Sequence, residues 1–175
     1  MTEQSSIIYR KFELKDLDQV VDINRKSLPE NYPERFFRTI YSELPSAFLV
    51  CEINGEIIGY TMARIETGLS HFSIFHRAKK GHTVSIAIKP EYRRRGLASR
   101  LLKESIIAMI NAGANELFLE VRMSNDAAVA LYQSLGYKIL KEIRHYYRDF
   151  EGAYLMAQKV PKEKIKSQKL AEKDK

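Results

Sequence analysis

The spacing of apolar residues changes period several times along the chain, and each change marks an element. After a β-prone segment, Ile7-Ile8-Tyr9-Arg10-Lys11-Phe12, helical spacing sets in from about Asp16 to Ser27, with Leu17, Val20, Val21, Asn24 and Leu28 on one side. Leu28-Pro29 ends that helix, because proline disfavours the α region in the residue before it. A polar and aromatic stretch from Pro29 to Phe37 leads into a short helix ending near Ser42. The period then becomes two. Ala47 to Ile53 and Ile57 to Ile65 read as strands joined at Asn54-Gly55, a strong hairpin signal. Gly68 to Gly81 reads as a loop. His82 to Lys89 is a third strand, with Val84, Ile86 and Ile88 on one face and Ser85 and Ala87 on the other, and Pro90 stops it.

Leu97 to Asn111 carries the best helical pattern, with Ala98, Leu101, Leu102, Ser105, Ile106 and Met109 on its inner face and Gly113 as terminator. Glu116 to Arg122 is a strand. Ser124 is the expected N-cap of a helix bearing Ala127, Ala128, Leu131, Tyr132 and Leu135, which Gly136 ends. Tyr137 to Ile143 and Ala153 to Val160 are β-prone. The middle of the chain is strand–helix–strand–helix–strand, an order that favours parallel neighbours. The ends are hairpin-like. The pattern predicts an α/β protein with a mixed sheet and helices on both faces.

The 175 residues are one domain's worth and can bury a core without disulfides. No apolar run approaches the ~20 residues a membrane span needs, so no membrane association is expected. Met1 to Ser6 has neither the basic nor the apolar region of a signal peptide. One cysteine, Cys51, excludes an internal disulfide framework, a CxxC pair and a Cys-rich zinc site, and a reduced, cytoplasmic setting is the expectation. The formal charge is +7, and Pro161 to Lys175, with six lysines against two glutamates and one aspartate, carries +3 of it. We expect a single domain over residues 1–160 and a basic, flexible tail over 161–175. About +4 is left for the domain, which suits an anionic ligand better than a dedicated nucleic-acid surface.

The sharpest local feature is Arg93-Arg94-Arg95-Gly96-Leu97-Ala98, between the end of a strand and the start of the best helix. The first turn of a helix leaves backbone N–H groups unpaired at the positive end of the dipole, a natural seat for phosphate. Gly96 lets the backbone approach closely, Ala98 keeps the first turn small, and the arginines add charge. The same residues could instead form a basic exposed turn or an RNA contact. There is no G-x-G-x-x-G after a strand, no G-x-x-x-x-G-K-[ST], no G-x-S-x-G and no H-E-x-x-H. Cys51 lies in an apolar strand with no cation nearby, which disfavours cysteine nucleophilic catalysis.

Together the motifs resemble the GNAT superfamily of acetyltransferases, whose phosphate loop Q/R-x-x-G-x-G/A is matched by Arg93, Gly96 and Ala98. The resemblance covers nearly all of residues 6–160 and narrows to protein N-terminal acetyltransferases of the NatA class and their archaeal relatives. It is carried by Leu28-Pro29-Glu30-Asn31-Tyr32, Gly81 to Ala87, Glu91 to Ala98, Leu119 to Arg122, Asn125 through Tyr132, and Tyr146-Tyr147 before Ala153-Tyr154. Relatives of this type often read Asp-Gly-Glu-Asp-Ala-Tyr before the last strand, where this chain has Asp149-Phe150-Glu151-Gly152-Ala153-Tyr154.

The resemblance implies a mixed, mostly antiparallel sheet with a central parallel pair, and acetyl-CoA as the acyl donor. It implies that backbone groups of Ile86, Ala87 and Ile88 pair with the pantetheine arm. The loop from Arg93, Arg94 and Arg95 through Gly96, Leu97, Ala98 and Ser99 would hold the pyrophosphate, and Asn125 would contact the cofactor. Tyr132 would protonate the leaving thiolate. Glu30, Asn31 and Tyr32, with Tyr146 and Tyr147, would hold the peptide, Glu30 tuning the first residue. A protein α-amine, with a reference pKa of ~7.7–8.0, needs only a mild base. His82 and Glu120 are the candidates, with Glu30 as a further one. Two such ligands fall short of a dedicated zinc site, so no metal is expected. The implied partners are protein N-termini and nascent chains, with ribosome contact and an auxiliary subunit as further ones. Acetylation of lysine or a small amine is the alternative inside the superfamily. A non-catalytic ribosome- or RNA-binding module is the alternative outside it.

Overall fold

Asn54 and Gly55 both take positive φ, 51° and 81°, and close the turn between β2 (Leu49–Ile53) and β3 (Glu56–Leu69), as an Asn-Gly hairpin requires. The other elements are β1 (Ile8–Lys11), α1 (Leu17–Ser27), α2 (Glu34–Glu43), β4 (Arg77–Ile88), α3 (Leu97–Asn111), β5 (Glu116–Arg122), α4 (Asp126–Ser134), β6 (Lys138–Ile143) and β7 (Ala153–Lys159). The computed structural model describes residues 6–161 and 163; nearly all of the expected tail, and residues 1–5, lie outside these. The strand order is β1-β2-β3-β4-β5-β7-β6. β4 and β5 are parallel, and β1–β2, β2–β3, β5–β7 and β6–β7 are antiparallel. This is the expected mixed sheet with its parallel pair.

By contact density the chain divides into two units, Met1–Arg64 with Ser85–Ala108, and Ile65–Val84 with Met109–Lys175. In the first, Leu49, Cys51, Ile58, Ile88, Leu97 and Leu101 form a buried cluster. Phe12 stacks on Phe48 at 4.0 Å between ring centroids. Each such side chain, removed from water, contributes ~1.5–3 kcal/mol. Asp16 sits 2% exposed in this unit, where Arg10 bonds it through both terminal nitrogens and also bonds Glu52. In the second unit β5 pairs with β7 over its whole length and with β4 over three residues, Lys80–His82 against Glu116–Phe118. Phe118, Leu155 and Ala157 are buried together, with Phe72 and Ile143 packed on them.

Four expectations are corrected. Residues 68–81 are not all loop: β3 runs on to Leu69 and β4 begins at Arg77. Gly81 misled because it is a strand glycine, where an added Cβ would lie 2.7 Å from Leu117 and from Met109. Ala47 belongs to a 3-10 turn, Pro45–Ala47, and the strand starts at Leu49. Ser124 does not cap α4. Asn125 does, its side chain accepting from the Ala128 N–H, while the Ser124 hydroxyl donates to Glu151. Finally, β6 does not neighbour β5, because β7 lies between them.

Candidate active site

β4 ends at Ile88, and Arg93 Nε donates to the Ile88 carbonyl at 3.0 Å, folding the chain back on the strand end. Pro90–Tyr92 make one 3-10 turn. Arg94 and Gly96 take φ of 62° and 77°, and α3 begins at Leu97. A Cβ on Gly96 would meet nothing within 4 Å, so the backbone there is open to a ligand as a phosphate loop requires. Leu97 is buried in the apolar cluster and Ala98 packs against it, which fixes the helix start. Arg93, Arg94 and Arg95 are exposed, with Arg95 lying over the Tyr92 ring at 5.3 Å. A fixed helix N-terminus, an open glycine and three cations fit a pyrophosphate. On β4, Ser85 and Ala87 face inward, whereas Ile86 stays half-buried.

The Pro29–Tyr32 segment leaves α1 without regular pairing, and the Asn24 side chain bonds it at two points. Asn24, fully buried on the inner face of α1, donates through Nδ2 to the Glu30 carbonyl and to the Tyr60 hydroxyl, both at 3.1 Å. Its Oδ1 accepts from the Tyr32 N–H at 3.1 Å. The Tyr60 and Ser85 hydroxyls are 2.8 Å apart. Burial pushes the Tyr60 phenol up to about 12, against the two hydrogen bonds, so it stays protonated. The Tyr32 ring stacks on Phe36 at 4.6 Å. Glu30 and Tyr32 are half-buried and Asn31 is exposed.

In the second unit the His82 imidazole is bracketed by two carboxylates. Nδ1 is 2.9 Å from Glu66 Oε1 and Nε2 is 2.8 Å from Glu120 Oε2, and the ring stacks on Phe118 at 4.2 Å. A ring protonated on both nitrogens donates to both carboxylates. The arrangement can hold a proton and pass it to either side. His82 and Glu120, paired on the sequence reading, are thus in direct contact. Glu66 was missed, because it is 16 residues away in sequence on a strand predicted to stop at Ile65.

Tyr132 is buried on α4, and burial raises its phenol well above the ordinary value, so the hydroxyl keeps its proton. Asn125 holds the start of the same helix. Tyr146 and Tyr147 meet edge to face at 4.9 Å in the loop between β6 and β7. Arg122 clamps that loop: it lies over the Tyr147 ring at 4.2 Å and bonds Asp149 at 2.8 Å as well as Glu151. Glu151 also accepts from the Ser124 N–H and hydroxyl. Glu151 therefore anchors the loop to the start of α4. The candidate residues divide between the units: Glu30, Asn31, Tyr32, Ile86 to Ile88 and Arg93 to Ser99 in the first, and His82, Glu120, Asn125, Tyr132, Tyr146 and Tyr147 in the second.

A mixed seven-stranded sheet with one parallel pair, β4–β5, and an open glycine turn leading into α3 agree with an acetyltransferase of the GNAT type. The acetyltransferase (GNAT) family model matches residues 17–137, and the chain belongs to that family. Within it, the chain is 49% identical to an N-alpha-acetyltransferase of Sulfurisphaera tokodaii, over 85% of this chain and 90% of that protein. Ard1 from Thermoplasma volcanium superposes with a TM-score of 0.77 at 26% identity, covering 89% of this chain and 98% of that one. Naa20 of Chaetomium thermophilum, solved in complex with a bisubstrate analogue, superposes with a TM-score of 0.76 at 32% identity, over 87% and 86% of the two chains.

Proposed function

We propose that this chain is a protein N-α-acetyltransferase that moves acetyl from acetyl-CoA to the free α-amine of a protein or nascent chain. The observation that carries the reading is the Glu66–His82–Glu120 array. An α-amine, at a reference pKa of ~7.7–8.0, asks only for a mild base, whereas a lysine at ~10.4 asks for a stronger one. The Glu66–His82–Glu120 array sets an imidazole between two carboxylates in one hydrogen-bonded row, groups of the type that serve as general bases. The similarity to an N-alpha-acetyltransferase along 85% of the chain supports the same acceptor.

In this reading the open turn at Gly96, the first amides of α3 and the arginines bind the pyrophosphate. The backbone of Ile86 to Ile88 binds the pantetheine arm. When bound, acetyl-CoA supplies the acetyl group as a thioester. His82 with Glu120 accepts the proton the α-amine gives up as its nitrogen bonds the acetyl carbon. Tyr132 holds at Oη the proton that goes to sulfur as the carbon–sulfur bond breaks. Asn125 orients the start of the Tyr132 helix. Tyr32 and Tyr147 offer hydroxyls to the peptide backbone, and Glu30 tunes the first side chain. Cys51 is fully buried and burial pushes its thiol up to about 12, so transfer is direct, in a ternary complex. Among the described residues no helix is long and apolar enough to cross a membrane. Cytoplasmic action near the ribosome, with the basic tail as contact and an auxiliary subunit as partner, belongs to the same proposal.

The test is release of CoA thiol from acetyl-CoA with short peptides starting Ser, Ala, Thr, Met-Leu and Met-Glu, alongside α-blocked peptides with one free lysine. Release with the free α-amines and none with the blocked set is expected. Release with the blocked set would move the acceptor to lysine.

A further inference from the structure

We infer that Asn24 is the positioning residue of the acceptor loop and sets how sharply the enzyme discriminates among amino-terminal residues, through a buried relay running from Tyr32 by Asn24 and Tyr60 to Ser85. The inference rests on the N-α-acetyltransferase reading and names a determinant of its specificity.

One amide reaches three partners. Its two donors go to the Glu30 carbonyl and the Tyr60 hydroxyl, and its acceptor takes the Tyr32 N–H. The orientation is fixed by chemistry. Flipping the amide would set oxygen against the Glu30 carbonyl and N–H against the Tyr32 N–H, so only this arrangement satisfies all partners. Because the backbone bonds flank Asn31, the amide fixes the chain on both sides of the turn that aims Glu30 and Tyr32. Asn24 is 0% exposed and Tyr60 0%, so neither has water to replace a lost partner, and each loss is felt in full. The relay ends at Ser85, whose carbonyl also accepts from Thr61. Ser85 is the neighbour of Ile86, the first strand residue assigned to the pantetheine arm. This relay links the acceptor loop to that strand through neutral side chains, whose bonds do not depend on salt or on pH near neutrality. Aspartate cannot substitute, since it lacks both donors, and alanine removes all three bonds.

Two variants and two readouts test this. Asn24→Ala and Tyr60→Phe are compared with wild type by hydrogen exchange and by steady-state kinetics on Ser-, Ala- and Met-starting peptides. For Asn24→Ala the Tyr32 amide should exchange at least about tenfold faster, with residues 97–111 unchanged. Peptide KM should rise about tenfold with acetyl-CoA KM unaltered, and the ranking of the peptides should flatten. Tyr60→Phe keeps the ring in the core and should shift the same quantities less; it carries the test if the alanine variant does not fold. Unchanged exchange at Tyr32 would overturn the positioning role. So would faster exchange with unchanged peptide KM and ranking, which would make the relay purely structural. Faster exchange in the variants while wild type releases no thiol with any free α-amine would uphold the positioning of the loop and overturn the acceptor reading instead.

Discussion

Two loops that bear candidate peptide-binding tyrosines are held by opposite chemistry. The Pro29–Tyr32 loop hangs on a buried, neutral amide, Asn24, backed by Tyr60 and Ser85. The loop bearing Tyr146 and Tyr147 is held by a partly exposed ionic clamp, the 14% exposed Arg122 with Asp149 at 58% and Glu151 at 27%, closed by Ser124. A buried neutral relay fixes geometry firmly, because its groups have no solvent to turn to. A partly exposed clamp is screened by salt, exchanges with water and yields at modest cost. The first hold should therefore be insensitive to salt, and the second should respond to it.

Neither loop moves the proton, which provides the largest expected effect. His82→Gln should lower kcat by about 10²-fold or more while leaving both KM values near wild type, measured by thiol release. A raised peptide KM with unchanged kcat would transfer His82 to the binding machinery and collapse the distinction. Next, Asn24→Leu should destabilise the fold by about 2–4 kcal/mol, since it removes three hydrogen bonds made by a fully buried side chain. That loss, read by thermal or urea unfolding, should be the same in low and high salt. Arg122→Ala should cost less. Peptide KM should rise about two- to fivefold at low ionic strength, and the difference from wild type should shrink as salt is added.

The pH dependence separates the loops as well. Hydrogen bonds from Arg122 hold the Asp149 carboxyl below its ordinary value, and those from Ser124, then Arg122, do the same for Glu151. A depressed carboxyl contributes stability that is present above its unfolded value, ~4, and is lost as pH falls through the folded one. The Tm difference between wild type and Arg122→Ala should thus be flat from pH 8 to about 5, begin to shrink near about 4 and vanish only below the depressed folded values, whereas the Asn24→Leu difference should persist. The smallest effect belongs to Cys51→Ala, which should leave kcat unchanged, because no acyl group passes through that thiol.

Much of this was legible in the residues, and the parts that were not share a cause. Helix 97–111 and strand 116–122 came out at their observed ends because apolar periodicity states them directly. The turn that opens α3 was legible because its signals are local, six consecutive residues at a strand–helix junction. Gly68 and Gly81 were read as punctuation, yet Gly81 is where leucine and methionine side chains leave no room for a Cβ. Ser124 and Asn125 are both good caps by type, and the choice was made by Glu151, 27 residues on, which took the serine. Glu66, Tyr60 and Arg122 act through partners 16 to 36 residues distant, and nothing local marks such pairs. Asn24 did leave a signal: it was the one amide on the apolar face of the first helix. A polar side chain in that position must find partners indoors, and those partners proved to be the loop.

The account is tested most directly by one peptide that carries both possible acceptors, a free amino-terminal serine and an internal lysine. After limited reaction with acetyl-CoA, fragmentation mass spectrometry locates the acetyl group. The account predicts acetyl on the α-nitrogen with the lysine unmodified, and the same outcome when the lysine is moved along the peptide. Acetyl on the lysine Nζ at comparable or greater yield would contradict it.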